Sequence, residues 1–477
     1  MTQALALAQS GFRSWLARVF VAAVALTVLS YGSASTVEVN LAALSFAILA
    51  IFSIFQPIGS WRVGRVHAVA IFVLAGLVGY AALQTVPLPG WDLANGAWKS
   101  VSEIIAPVNG TISVAPGMTL DALTTLALPF LAFVVALAFF QGDDEALWLW
   151  RALAYFGAAY AAFGIAQELL APDQLLFEPK KFYVGYLTAT FVNRNTAGTF
   201  FGVALLLNLA LLFADLRTVH VAHLAQRRRK DGERRTALLI HLFAVLDCAA
   251  ALSLTRSRGA VGATLIAILL ATGAMAARRL TADRPRDDVF GRWRRPAVSL
   301  AAVAVVGSLF MLFAGRAEQR VQGLASEDGR WCAFGSTMAA IADHWPLGAG
   351  FGAFPDVFPA YRDAACAGIF GVWDHAHNFF LEGLLTLGAA FAAAAAIVYA
   401  ALGAALVRGA RTRHRLRFLP VAGLAALALV SLHGIVDFSL QIPGVAVYVA
   451  AALAPAVAVA LGGDAKQAGV GVENRPT

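Results

Sequence analysis

The stretch LLIHLFAVLDCAAALSL-TRSRG-AVGATLIAILLATGAMA, residues 238–276, holds two apolar runs, 238–254 and 260–276. Each is close to the length that crosses a bilayer. The break between them, Arg256-Ser257-Arg258-Gly259, is too short for a domain and reads as a tight turn at one membrane face. Two guanidiniums held there suit lipid phosphates or a phosphorylated substrate at the membrane surface. The rest of the chain weighs between these two uses.

Working outward, the 477 residues are 60% hydrophobic and 13% charged, with mean hydropathy +0.72. A soluble chain would carry about 25% charge. Windows of about twenty residues give about twelve candidate spans. They lie near 15–32, 37–58, 66–86, 119–140, 147–170, 195–216, 237–254, 259–277, 297–314, 378–407, 419–437 and 443–461. The expectation is an all-α polytopic membrane protein, a single membrane domain over 1–477. A large outer loop at 315–377, bearing short helices, is inserted between the ninth and tenth spans, and 462–477 is an inner tail. The first span follows Arg13 and Arg18 and ends in Gly32-Ser33-Ala34-Ser35. It is read as an uncleaved helix rather than a signal peptide.

With both termini inside, about 26 of the 36 Lys and Arg fall in inner segments. The excess sits in Arg227-Arg228-Arg229-Lys230 with Arg234-Arg235, in 278–295 and in 408–417. Short basic loops of this kind face anionic lipid, so no nucleic-acid partner is expected. The inner loops are short and contain no P-loop or Gly-rich strand-to-helix fingerprint. Any reaction therefore draws on a substrate activated beforehand and carried in the membrane, or on a gradient. Cys248 lies within a span; Cys332 and Cys366 share the outer loop. A bridge between those two would stabilise the loop by about 3–4 kcal/mol on the chain-entropy model, and two unpaired thiols are the alternative.

Three outer segments carry more than connection requires. Segment 87–118, with Pro87-Leu88-Pro89-Gly90-Trp91, reads as an interfacial hairpin or short helix with Trp91 and Trp98 at headgroup depth. Segment 171–195 ends in Asn193-Arg194-Asn195; Asn195 is either a helix cap or a ligand contact, and Arg194 adds an outward cation near Lys180 and Lys181. Segment 315–377 contains Arg330-Trp331, Asp343-His344, Pro346-Leu347-Gly348-Ala349-Gly350-Phe351-Gly352, Tyr361-Arg362 and Trp373-Asp374-His375-Ala376-His377-Asn378. Helical spacing over 331–342 has Arg330 opening a short helix. The three glycines suit a turn that approaches a ligand or another helix. Asp343, His344, Asp374, His375 and His377 could bind a metal, but their spacing fits no strong zinc pattern. Asp374 could instead cap the tenth span, or one histidine could act as a base near several arginines, since a neutral imidazole suits hydroxyl activation near pH 7.

These pieces resemble the O-antigen ligase and polymerase superfamily of bacterial inner-membrane glycosyltransferases. The resemblance runs from Leu88-Pro89 to the C-terminus and is most specific over 191–391. The Arg-x-x-x-Leu element of the ligases corresponds to Arg258–Gly262, with Gly262 in the place of Leu. The His-Asn, nine residues, Gly-x-x-Gly element corresponds to His377-Asn378 and Gly388, with Phe391 in the place of the last Gly. Arg330 matches an arginine before the Pro-Leu-Gly-x-Gly turn. Ser431-Leu432-His433 with Asp437-Phe438 and Pro443 looks like the polymerase-type members. His433 and Asp437, four residues apart, would pair on one helix face.

The resemblance implies a donor oligosaccharide on undecaprenyl pyrophosphate at the periplasmic face of the inner membrane, both termini being cytoplasmic. It implies an acceptor glycan or glycolipid, contact with membrane lipid and other polysaccharide-assembly proteins as further partners. It implies no cofactor and no metal. In this reading His377, Arg258 and Arg330 are catalytic, and Arg256, Arg194, Asn195, Asn378, Arg362, His433 and Asp437 bind substrate. Polysaccharide polymerisation is the favoured activity, ligation onto lipid A-core the second, and a lipid-linked saccharide transporter the alternative of another class. No internal repeat of transporter type is visible. Asp247, inside a span at a cost of about 2.5–3.5 kcal/mol, has no evident partner, and Glu168 and Glu382 sit near span ends.

Overall fold

The computed structural model describes residues 2–89, 93–105, 107–218, 229–280, 325–362 and 372–462, with the isolated positions 304 and 308. Its helices are α1 (Thr2–Leu29), α2 (Thr36–Ile54), α3 (Trp61–Leu83), α4 (Ala97–Ile104), α5 (Pro116–Phe139), α6 (Asp143–Leu170), α7 (Arg194–Thr218), α8 (Arg229–Leu254), α9 (Arg258–Leu280), α10 (Ala325–His344), α11 (Phe354–Tyr361), α12 (Phe379–Leu387), α13 (Ala389–Thr412), α14 (Phe418–Gly434) and α15 (Pro443–Leu461). Strand structure among the described residues is confined to a two-residue antiparallel pair, Gln174–Leu175 with Glu178–Pro179. Nine of these helices are long and apolar enough to cross a membrane. The chain is an all-α polytopic membrane protein. Apart from positions 304 and 308, the expected ninth span, 297–314, lies outside the described residues, as do Trp91 and Cys366.

Two helices form the centre of the bundle. In α15 the whole apolar window is buried, and in α7 94% of it. Helix α15, PGVAVYVAAALAPAVAVAL, is apolar all round and rich in small residues. Such a helix can be packed on every side, with close backbone approach where neighbours are also small. Accordingly a methyl at Gly409 would lie 2.5 Å from the Ala460 Cβ, and one at Gly423 2.8 Å from that of Ala456. Several buried polar groups of this core are satisfied within it. Tyr448 donates to the Leu153 carbonyl at 2.9 Å, Asn208 to those of Ala154 and Ala204, and Trp150 to that of Leu207. In hydrocarbon each such group would otherwise cost several kcal/mol.

The described parts of the expected outer loops meet at one end of the bundle. Ser33 donates to the Thr27 carbonyl, Thr190 to that of Val28, and the amide of Leu187 to that of Leu254. Gln84 reaches the carbonyls of Leu347 and Thr386. The basic segment 408–417 lies at the other end, where Arg413 grips Asp143 at 2.6 and 2.7 Å and Arg415 meets Asp144.

The expected tenth span, 378–407, is corrected: it is two helices. Between α12 and α13 stands Gly388 with φ +58°, where a Cβ would lie 2.0 Å from the Pro346 carbonyl oxygen. The glycine-rich turn enters this break. The amides of Ala349 and Gly350 donate to the carbonyls of Leu385 and Thr386, and that of Ala389 donates to Pro346. Gly348, Gly350 and Gly352 all have positive φ, and a Cβ at Gly348 would strike the Thr386 carbonyl at 2.5 Å. Of the two uses foreseen for the turn, the approach to another helix is the one seen. Phe391 explains its own place in the motif. Its ring lies over Gly383, where a Cβ would meet it at 2.4 Å, so a glycine at 383 makes room for the side chain gained at 391. At position 262 a Cβ would meet nothing within 4 Å, so Gly262 leaves open space where the ligases carry Leu.

The eleventh span is also shorter than expected. Helix α14 ends at Gly434, and Asp437 belongs to the turn that follows. The expected pairing of His433 with Asp437 along one helix face is therefore corrected. Asp374 does not cap α12 either; Asn378 does, its Oδ1 accepting from the amides of Phe380 and Leu381 at 3.0 Å. Helix α10 starts upstream of 331, which puts Arg330 in its second turn.

Candidate functional site

Three turns at the loop end are stitched by one buried side chain. Asn195, at the start of α7, accepts from Ser257 Oγ at 2.8 Å and donates to Asp437 Oδ1 at 3.0 Å. The other oxygen of Asp437 accepts from the Ser439 amide at 3.0 Å and from the Ser439 hydroxyl. Asn193, not Asn195, caps α7, its Oδ1 accepting from the Asn195 amide at 2.7 Å. Asp437 is fully buried, and a buried carboxylate is tolerated only with such a set of donors. His433 is likewise buried, with Nδ1 2.6 Å from Thr199 Oγ1 and its ring against Gly259.

Around this frame lie the cations. Arg194 stands over the ring of Tyr186 at 4.5 Å and over Tyr183 at 5.7 Å, and Arg256 over Tyr186 at 5.3 Å. An aromatic face holds a guanidinium without consuming its hydrogen-bond donors. The Nε of each is buried without a partner, and Arg194 makes one long contact, 3.4 Å, with the Arg256 carbonyl. Lys180 steadies the platform by donating to the Tyr186 carbonyl at 2.9 Å and to Glu168 at 3.0 Å. Arg330 approaches from α10 and touches the Val436 carbonyl at 3.4 Å. Arg330, Arg194 and Asp437 all act electrostatically on Tyr183, whose hydroxyl burial pushes up. The two arginine groups thus share one region.

The histidines of the Asp-His-x-His run meet across one ring. His375 stacks on Phe438 at 4.4 Å, while His377 meets Phe438 edge-on at 4.9 Å and Trp373 at 5.2 Å. Their surroundings differ. Burial, then Arg330 and His375, hold His377 down at about 4 against the pull of Asp437 and Glu382. Its Nδ1 is buried without a partner and its backbone is left-handed at φ +53°. Burial also opposes charge on His375, but the carboxylates of Glu382, Asp374 and Asp437 outweigh it, and its pKa is raised. Arg256, at φ +52°, shares the left-handed strain. Such conformations cost about 1–3 kcal/mol each and cluster at functional sites.

Of the residues singled out from the sequence, the fold brings Arg330, Arg194, Arg256, His377, His433, Asn195 and Asp437 together. Asn378 adjoins them and is occupied as a helix cap. Arg258 is exposed at the start of α9, next to Gly259. Arg362 lies farther along, its guanidinium 5.7 Å from the Phe358 ring, which stacks on Trp373. Asp343 and His344 stand apart, the first accepting from Tyr361 at 2.9 Å and the second bonded to the Ala340 carbonyl. Among the described residues no three His, Cys, Asp or Glu side chains gather as a metal site would need. Sequence reasoning missed Tyr183, Tyr186 and Thr199, the contacts of Phe438 with the two histidines, and the partnership of Glu382 with His375. A pair of tyrosines just before Arg194 in an outer loop was the available signal for the first two. Cys332 is disulfide-bonded.

No curated protein matches the chain. Residues 242–394, from α8 into α13, match the family model described as O-antigen ligase. That stretch carries Arg256, Arg258, Arg330, His377 and Asn378, and leaves Arg194, Asn195, His433 and Asp437 outside it. The match covers about a third of the chain, and over that stretch this multi-pass membrane protein is similar to the O-antigen ligase family.

Proposed function

We propose that the protein transfers a saccharide from undecaprenyl pyrophosphate onto an acceptor sugar at the periplasmic face of the inner membrane, in polysaccharide polymerisation. The observation that carries this is the set of three guanidiniums, Arg194, Arg256 and Arg330, beside a neutral imidazole at one end of the bundle. As the glycosidic bond breaks, its electron pair moves to the pyrophosphate oxygen. Fixed guanidiniums stabilise that charge with charge-assisted hydrogen bonds and need no metal. Arg330, Arg194 and Arg256 clamp the pyrophosphate, and Arg258 stands at the exposed rim where the donor enters. His377, uncharged at neutral pH, hydrogen-bonds the acceptor hydroxyl or a phosphate oxygen. At about 4 it is a weak proton acceptor. Asn195 and Asp437 hold the turns that carry the arginines, and Arg362 lies where a longer glycan would extend.

Ligation onto lipid A-core is the second reading, favoured by the description of the matched family. Polymerisation draws on the Ser431–Phe438 pattern, whose His433 and Asp437 join the same cluster. Replacing Arg330 or His377 by Ala in cells and following surface polysaccharide separates them. Loss of a polymerase leaves single repeat units where long chains stood. Loss of a ligase leaves long chains on the carrier lipid, and loss of a flippase traps units on the cytoplasmic leaflet. Unchanged polysaccharide in both variants overturns the proposal.

A further inference from the structure

A weak base at His377 leaves unassigned the proton that the acceptor hydroxyl must lose. The neighbouring histidine has the arrangement that His377 lacks. Glu382, buried in the first turn of α12, places Oε1 3.0 Å from His375 Nδ1 and accepts from the Ala376 amide through Oε2 at 2.7 Å. The second bond fixes the carboxylate against rotation, and the first fixes the imidazole. Stacking on Phe438 at 4.4 Å fixes its plane. Nε2 is then the ring nitrogen that Glu382 does not engage, on a side chain that keeps 29% exposure while Glu382 keeps 8%. An imidazole oriented by a carboxylate is the arrangement by which a base accepts a proton and the resulting imidazolium is held.

We propose that the His375–Glu382 pair, and not His377, takes the proton from the acceptor hydroxyl; this deepens the transfer reading and rests on it. The acceptor oxygen bonds to the anomeric carbon and the bond from that carbon to the pyrophosphate oxygen breaks. Its electron pair stays on the pyrophosphate, and the hydroxyl proton moves to His375 Nε2. Glu382 is the positioning residue: it sets the tautomer and balances the imidazolium until the proton leaves to water. The charged groups facing His375 are Glu382 on α12, Asp374 in its own loop, Asp437 on the turn after α14, and His377 across the Phe438 ring. The three carboxylates all favour the protonated ring, so His375 becomes a free base only above its raised pKa.

The test uses full-length protein in membrane vesicles that carry their own lipid-linked donor, with chain formation timed across pH. Wild type gains rate as pH rises through the His375 value. His375→Gln should lose about 100-fold or more, the usual scale of a general base, together with that acid limb. Glu382→Gln should lose about tenfold and move the limb to lower pH, because the group that raises His375 is gone. Histidine-labelled NMR of the purified protein should show the same downward move, which decides the matter if His375→Gln does not fold. Wild-type rate and an unmoved limb in both variants, with Arg330→Ala inactive, overturn the assignment alone. Wild-type rate in Arg330→Ala as well overturns the transfer reading beneath it.

Discussion

Arginines are buried or half-buried at both ends of this bundle, and the two ends use them in opposite ways. At the basic end Arg413 binds Asp143 through both carboxylate oxygens and reaches the Gly462 carbonyl at 3.2 Å. Arg417 serves the carbonyls of Ala410 and Ala274. Gly462 and Ala410 lie at the C-terminal ends of α15 and α13, where carbonyls lack helical partners and a cation balances the dipole, while Ala274 lies within the second half of α9. At the loop end Arg194, Arg256 and Arg330 pair with no carboxylate among the described residues. They rest on tyrosine faces or touch a carbonyl at 3.4 Å. The first set closes the fold; the second keeps charge in reserve for an anion. A charged side chain held beside apolar surface without its counter-ion costs stability; in the proposed reaction the pyrophosphate would supply that counter-ion.

That contrast can be broken most directly by exchanging a residue from each end. Arg330→Ala should lower transfer by about 100- to 1,000-fold, the range for removing one donor from a developing anion, with an unchanged melting temperature. Arg413→Ala should do the reverse. It should lose about 2–3 kcal/mol of stability, below the 3–5 of a fully enclosed pair because Asp143 keeps 22% exposure, and the remaining folded protein should keep its rate. If Arg330→Ala unfolds the protein while Arg413→Ala only slows it, the contrast is wrong.

A smaller effect sharpens the loop end. The unfolded chain binds a proton at His377 near pH 6.5, the folded chain only near 4. Between these values the unfolded state holds more protons, so stability rises with pH. The melting temperature should fall as pH drops from about 6.5 toward 4, and His377→Gln should flatten that fall. His375 acts oppositely, its contribution being present at low pH and lost as pH rises through its raised value. The comparison is therefore between wild type and the single variant. The smallest effect concerns the aromatic platform. Tyr186→Leu removes a face under two guanidiniums, each contact contributing about 0.5–1 kcal/mol. The KM for the lipid-linked donor should rise several-fold with little change in kcat. A kcat loss at constant KM would mean that Tyr186 serves the chemistry and not the clamp.

Most membrane helices were legible because each is recorded locally, in about twenty residues of apolar composition. The placement of Arg194, Arg256 and Arg330 together at one end of the bundle agrees with the same reading. The break at Gly388 was hidden for the same reason that the others were clear. The chain is apolar through 379–407, and hydropathy has no term for a turn that arrives from 346–352 and takes over two helical carbonyls. The end of α14 was missed because an i, i+4 pairing of His433 and Asp437 is plausible on any helix. The real partners, Thr199 and Asn195, are more than two hundred residues away in sequence.

Residue types and their order alone determined that this chain is a helical membrane protein with cations and histidines in the turns between its helices. Transfer of apolar surface out of water depends on composition over one span and little on what that span touches. Tertiary structure alone decided which cations are spent on helix ends and which, among the described residues, stand free of carboxylates, and which of two neighbouring histidines acquires one. Hydrogen bonds and charge pairs act over a few ångströms, and only the folded chain sets those distances.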